Sequence, residues 1–159
     1  MISFEYKTDK TFTEIVDQYN YFKKLQDENL FGSIEEFDFK EVEILDQSIY
    51  ILRKGFNYMT KTGQGEIIYI FKDEGKVYVE LFPLEDVLKI RKRFVFKFSN
   101  VFGLMIMYQF YKTNEINYFF TFFCVILVGL VYLFYTMLYN LNQRFLKDYS
   151  IRFLKCLDK

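Results

Sequence analysis

Residues 116–143, INYFFTFFCVILVGLVYLFYTMLYNLNQ, carry no charged side chain. At a rise of about 1.5 Å per residue, some twenty apolar residues cross the roughly 30 Å hydrocarbon core of a bilayer. The stretch therefore predicts a membrane-crossing helix, expected over 117–139. A second apolar stretch, 94–111 (FVFKFSNVFGLMIMYQFY), precedes it. Its one charge, Lys97, sits within a turn of the edge, from where a long side chain snorkels to the headgroups. Residues 112–117 (KTNEIN) read as a short polar turn between two antiparallel helices. The membrane unit expected is thus a two-helix transmembrane hairpin within residues 89–143.

Net charge over the 159 residues is zero, but the halves differ. Residues 1–88 hold ten Lys/Arg against eighteen Asp/Glu, a net of −8; residues 89–159 hold eleven against three, a net of +8. An acidic head on a basic, apolar tail is the pattern of a cytoplasmic domain held at a membrane. An acidic head is also a poor fit to nucleic acid, which binds basic surfaces.

Basic residues cluster beside both apolar stretches: Lys89, Arg91, Lys92, Arg93 and Lys97 before the first, Arg144 and Lys147 (with Arg152 and Lys155) after the second. The connecting turn has one Lys and one Glu. By the positive-inside rule both termini face the cytoplasm and the turn faces out. The expected location is the inner (plasma) membrane, and the seven residues named first form a basic collar at its cytoplasmic interface. Anionic lipid headgroups are a natural partner for such a collar. The opening residues, MISFEYKTDK, alternate apolar and polar like a strand and lack the apolar core of a secretory leader.

The head, 1–88, reads as α+β. Ile2, Phe4 and Tyr6 alternate with polar neighbours, as a half-buried strand does. Thr11 and Glu14 form a capping box ahead of a helix over about 12–28, whose apolar residues (Phe12, Ile15, Val16, Tyr19, Phe22, Leu25) recur at spacings of three and four. From Phe37 the period becomes two. The pairs Phe37/Phe39, Val42/Ile44, Ile49/Ile51 and Phe56/Tyr58 suggest short strands, and Glu66–Lys72 and Lys76–Phe82 form a hairpin closed by Asp73-Glu74-Gly75. The expected head is a small antiparallel sheet of five or six strands with one or two covering helices. The second helix would be 144–159: Phe145, Leu146, Tyr149, Phe153, Cys156 and Leu157 share a sector of its wheel, which suits either a return to the sheet or a position along the inner leaflet. The return is favoured, because one helix leaves much of a sheet face uncovered.

The chemistry-bearing residues mostly exclude functions. There is no histidine, which removes His-based triads, His-carboxylate metal sites and imidazole bases. Residues 61–66 (KTGQGE) superficially resemble a phosphate loop, but the order is wrong and a hairpin turn is expected. The acidic run Glu35, Glu36, Asp38, Glu41, Glu43 and Asp46 lacks EF-hand spacing and reads as the solvent side of strands. Ser99, Asn100, Gln109 and Thr121 are expected to bond between helices. Cys124 and Cys156 fall on apolar helix positions, where burial is the expectation. No catalytic residue, cofactor or metal is predicted.

These features predict a non-enzymatic membrane protein whose acidic head is a binding module for a protein partner or for other copies of the chain. The alternative is a ligand-gated membrane effector that clusters and perturbs the bilayer, in a defence or toxin-related role. That alternative requires a pocket in the head between sheet and helix.

Overall fold

The computed structural model describes residues 2–28, 40–53, 63–72, 75–83, 85–115 and 117–158. The elements are β1 (Ile2–Lys7), α1 (Phe12–Asp27), β2 (Glu41–Leu45), β3 (Ser48–Arg53), β4 (Gly65–Lys72), β5 (Lys76–Pro83), α2 (Glu85–Thr113) and α3 (Tyr118–Leu157). They fall into two compact units, residues 1–84 with 142–159, and residues 85–141.

In the first unit the five strands form one antiparallel sheet in the order β1-β5-β4-β3-β2. The β4–β5 hairpin forms where the period-two pattern put it. Gly75 takes φ +68°, and a Cβ there would run into the carbonyl oxygen of Thr8. β2 turns into β3 through Asp46 and Gln47, the latter at φ 103°. The expected strands at Phe37–Phe39 and Phe56–Tyr58 lie outside the described residues, as do Glu35, Glu36 and Asp38 of the acidic run. α1 begins at the expected capping box: the Thr11 backbone N–H donates to Glu14 Oε2 at 2.7 Å and the Glu14 N–H to Thr11 Oγ1 at 3.4 Å.

One face of the sheet is the core. Ile49, Ile51, Ile67, Tyr69, Phe71, Val77, Val79 and Leu81 are buried on it, and Ile15 and Tyr19 of α1 close part of it. The rest is closed by the far end of the chain: Leu146, Tyr149, Phe153, Leu154 and Leu157 are all buried in the same core. The spacing of these residues (three, four, one, three) is a helical stripe. The buried sector is rotated from the one the wheel suggested, with Leu154 inside and Phe145 and Cys156 only half-buried. Residues 144–157 are moreover not a separate helix but the last part of α3. No Gly or Pro follows Gly129, so nothing in the sequence ends the helix before the sheet is reached.

The second unit contains α2 and the first part of α3, joined by a turn in which Asn114 takes φ 59°. The two helices run back along each other: Phe94 stacks on Tyr135 at 5.4 Å, Phe98 shares a cavity with Leu130 and Phe134, and Leu104 and Tyr108 share another with Phe120. Two crossing helices were expected here. Among the described residues, α3 alone is long and apolar enough to span a membrane. α2 falls short because Lys97, Ser99, Asn100 and Gln109 dilute its apolar run. Many large apolar side chains of α3 in this unit are exposed, Phe119 at 81 % and Leu133 at 62 %, whereas Cys124 is buried.

Candidate docking surface

The second face of the sheet is set by the strand registers. Its side chains fall in rows that cross the strands: Leu45–Ser48–Ile70–Tyr78–Glu5, then Glu43–Tyr50–Ile68–Glu80–Ser3, then Glu41–Leu52–Glu66–Phe82. Five glutamates from four strands thus surround a centre of Tyr50, Ile68, Ile70 and Tyr78, and no Lys or Arg shares these rows. The three lysines of this face, Lys7, Lys76 and Lys72, form their own row at the hairpin end. Glu5, Glu41 and Glu43 are exposed, and the four central residues are half-exposed. The electrostatics follow the geometry. Partial burial, then the carboxylates of Glu66, Glu41 and Glu43, hold the Tyr50 hydroxyl above the usual phenol range. A hydrogen bond to Glu5 does the same for Tyr78. Sequence reading found Glu41 and Glu43 as a strand's solvent side, but not their grouping with Glu5, Glu66 and Glu80.

The collar residues divide between the units. Lys89, Lys92, Arg93 and Lys97 are exposed on α2, while the Arg91 side chain lies outside the described residues. The i, i+3, i+4, i+8 spacing puts the four on one side of the helix. Arg144 and Lys147 are exposed in the sheet-bearing unit, where Lys147 Nζ stands 5.4 Å from the Phe4 ring.

α3 enters the sheet-bearing unit through a close joint with the residues before β4. The Asn142 side-chain amide donates to the Gln64 carbonyl at 3.0 Å, and its oxygen accepts from the Gln64 N–H at 2.7 Å, satisfying both backbone groups as a neighbouring strand would. Gly63 and Gly65 permit this approach. A Cβ on Gly63 would lie 2.6 Å from Leu146 Cα, and one on Gly65 2.6 Å from Leu146 Cδ2. Behind the joint, the buried Arg53 guanidinium stacks 3.6 Å over the Tyr149 ring. Tyr69, which donates to the Ser150 carbonyl at 3.4 Å, is pushed well above the ordinary phenol pKa by burial.

A cleft of about 430 Å³ lies where α1 begins, floored by Phe12 and Phe71 and rimmed by Lys10, Lys72, Lys76, Asp9 and Gln47. Lys10 is turned to the Leu157 carbonyl at 3.0 Å and Lys72 to the Tyr78 ring at 4.0 Å.

The expected bonds between helices take another form. Thr121 Oγ1 donates to the Asn117 carbonyl of its own helix at 3.0 Å, which satisfies the hydroxyl locally. Ser99 and Asn100 are exposed, and Gln109 lines an open cavity of about 470 Å³ with Asn117. Cys124 is buried and Cys156 half-buried, both as free thiols. Among the described residues, no three His, Cys, Asp or Glu side chains are grouped as metal ligands would be.

No family model, curated protein or solved structure matches the chain.

Proposed function

We propose that this protein is a non-enzymatic integral membrane protein, held at the inner membrane, whose acidic α+β head is a protein-interaction module on the cytoplasmic side. The observation that carries the interaction role is the second face of the sheet, where, among the described residues, five glutamates surround a half-exposed Tyr/Ile centre. An apolar centre with a charged rim is how protein interfaces are built.

The membrane reading rests on α3 and on connectivity. Both ends of residues 85–141 lead into the same sheet-bearing unit. A folded unit lies on one side of a bilayer, so a chain that crosses through α3 has to cross a second time to rejoin it. α2 is the segment available for that crossing. Beyond Arg93, its residues 94–113 extend about 30 Å, the thickness of the core. Lys97 would lie toward the cytoplasmic headgroups, and both termini would face the cytoplasm, as the basic collar favours.

The test is native mass spectrometry of the full chain, extracted from its own membranes in mild detergent and measured at low and raised salt. A stoichiometric complex that falls apart as salt rises supports an electrostatic module. A bare monomer at low salt overturns it. The ligand-gated effector remains the second reading, favoured by the cleft at the start of α1. It requires a small-molecule adduct in the same spectra and growth arrest on clustering.

A further inference from the structure

The two oppositely charged surfaces belong to one chain, and they match in dimension. Glu43, Tyr50, Ile68 and Glu80 form one register row, so Glu43 and Glu80 are three strand steps apart, about 14 Å. On α2, Lys89 and Lys97 are eight residues apart, about 12 Å along the axis. Between them, Lys92 and Arg93 continue the same side of the helix. A helix with four cations on one side can therefore lie across the row with cations near carboxylates at both ends. A cation in the middle meets the face of Tyr50, the preferred aromatic setting for a guanidinium.

We infer that the occupant of the acidic sheet face is a second copy of this chain, which docks the basic start of its α2 (Lys89, Lys92, Arg93, Lys97) across Glu43, Tyr50, Glu66 and Glu80. The inference rests on the interaction-module reading above and names its partner. The docking and docked surfaces differ, so the contact is heterologous, the type that propagates from copy to copy and forms a ring where the rotation closes. The split of −8 in residues 1–88 and +8 in residues 89–159 becomes the source of the attraction.

Charge exchange between two tagged chains tests this. One chain carries Glu43→Lys and Glu66→Lys; the other carries Lys92→Glu and Arg93→Glu, with Lys89, Arg91 and Lys97 left in place. The wild type is expected to be oligomeric in mild detergent at low salt and dissociated near 1 M, where the screening length falls to about 3 Å. Each variant alone is expected to be monomeric, and co-expression to restore complexes containing both tags. The milder pair Glu43→Gln and Glu66→Gln adds no new charge to the sheet and is expected to lower the dissociating salt concentration. Asp17→Asn with Asp27→Asn, on α1, is expected to leave it unchanged. A monomeric wild type, variants that assemble like the wild type, or no restoration on mixing each overturns the inference. Extraction by alkaline carbonate is scored on the same cells. A chain stripped from the membrane overturns the membrane reading, whereas a retained chain with unaltered assembly overturns this inference alone.

Discussion

Tyr6 donates its hydroxyl to Asp158 at 3.2 Å, joining the first strand to the residue just past the end of α3, 152 positions later. Thr8 donates to the same carboxylate through Oγ1, and Lys10 to the neighbouring Leu157 carbonyl. With Asn142 held at the other end of the sheet, the last part of α3 is pinned at both ends. Residues 85–141 are therefore an insertion in a unit whose core is built from both ends of the chain.

Asp158→Ala removes the acceptor for two hydroxyls. Hydrogen bonds of this kind contribute about 0.5–1.5 kcal/mol each, so a loss of about 1–2 kcal/mol is expected, read as a lower midpoint in urea with an unchanged slope. An unshifted midpoint would mean that the carboxylate and its partners are equally well satisfied by water.

Phe153→Ala empties the site between Tyr69 and Tyr149, whose rings lie 5.4 and 6.2 Å from it. A loss of about 3–5 kcal/mol is expected. That is a large fraction of the stability of a small unit, so loss of the sheet's circular-dichroism signal or proteolysis of the head should follow. Gly63→Ala attacks the same packing from the strand side, by driving a methyl group into the Leu146 backbone, and is expected to cost about 1–3 kcal/mol.

Stability should fall at alkaline pH. Burial holds the Tyr69 phenol neutral in the folded state, while in the unfolded chain it ionises near 10.0. A raised folded pKa means that the contribution is complete below about pH 10 and is lost as pH climbs from there toward the folded value. Each such phenol adds a slope of up to about 1.4 kcal/mol per pH unit. Tyr69→Phe should flatten that part of the alkaline limb, while costing about 1 kcal/mol at neutral pH for the lost bond to Ser150. A limb unchanged in the variant would assign the alkaline loss to other groups.

Val125→Arg places a cation on an exposed, apolar position of α3, about 12 Å from its turn end. A charge at the centre of a crossing helix costs about 2.5–3.5 kcal/mol on insertion, so the carbonate-resistant fraction should drop sharply. For the orientation, Asn114→Cys in a chain with Cys124 and Cys156 replaced is expected to react with an impermeant thiol reagent added outside intact cells. Labelling only after lysis would reverse the proposed topology.

Local physics was legible in the sequence. The Thr11–Glu14 capping box, the stripe of α1, the β4–β5 hairpin with Gly75 and the apolar run of α3 each depend on residues within a few positions of one another, and each forms where the pattern put it. The wheel of residues 144–157 was legible as amphipathic, but its buried sector was misplaced. A wheel records apolar character and not the shape of the surface to be covered, here the groove beside Gly63 and Gly65 that accepts Leu146.

By itself, then, the sequence determined α1, the β4–β5 hairpin, the charge split and the membrane length of the 116–143 run, because period, capping and hydropathy are properties of short windows. It did not determine the second span expected at 94–111 or a separate helix at 144–159. Only the tertiary structure decided that β1 lies beside β5, that α3 runs unbroken from its apolar stretch into the core, and that Glu5, Glu41, Glu43, Glu66 and Glu80 share one face. Those outcomes depend on strand register and on burial between residues as much as 150 positions apart. No local pattern encodes them, since an alternating strand specifies which side is apolar and leaves open which neighbour it pairs with.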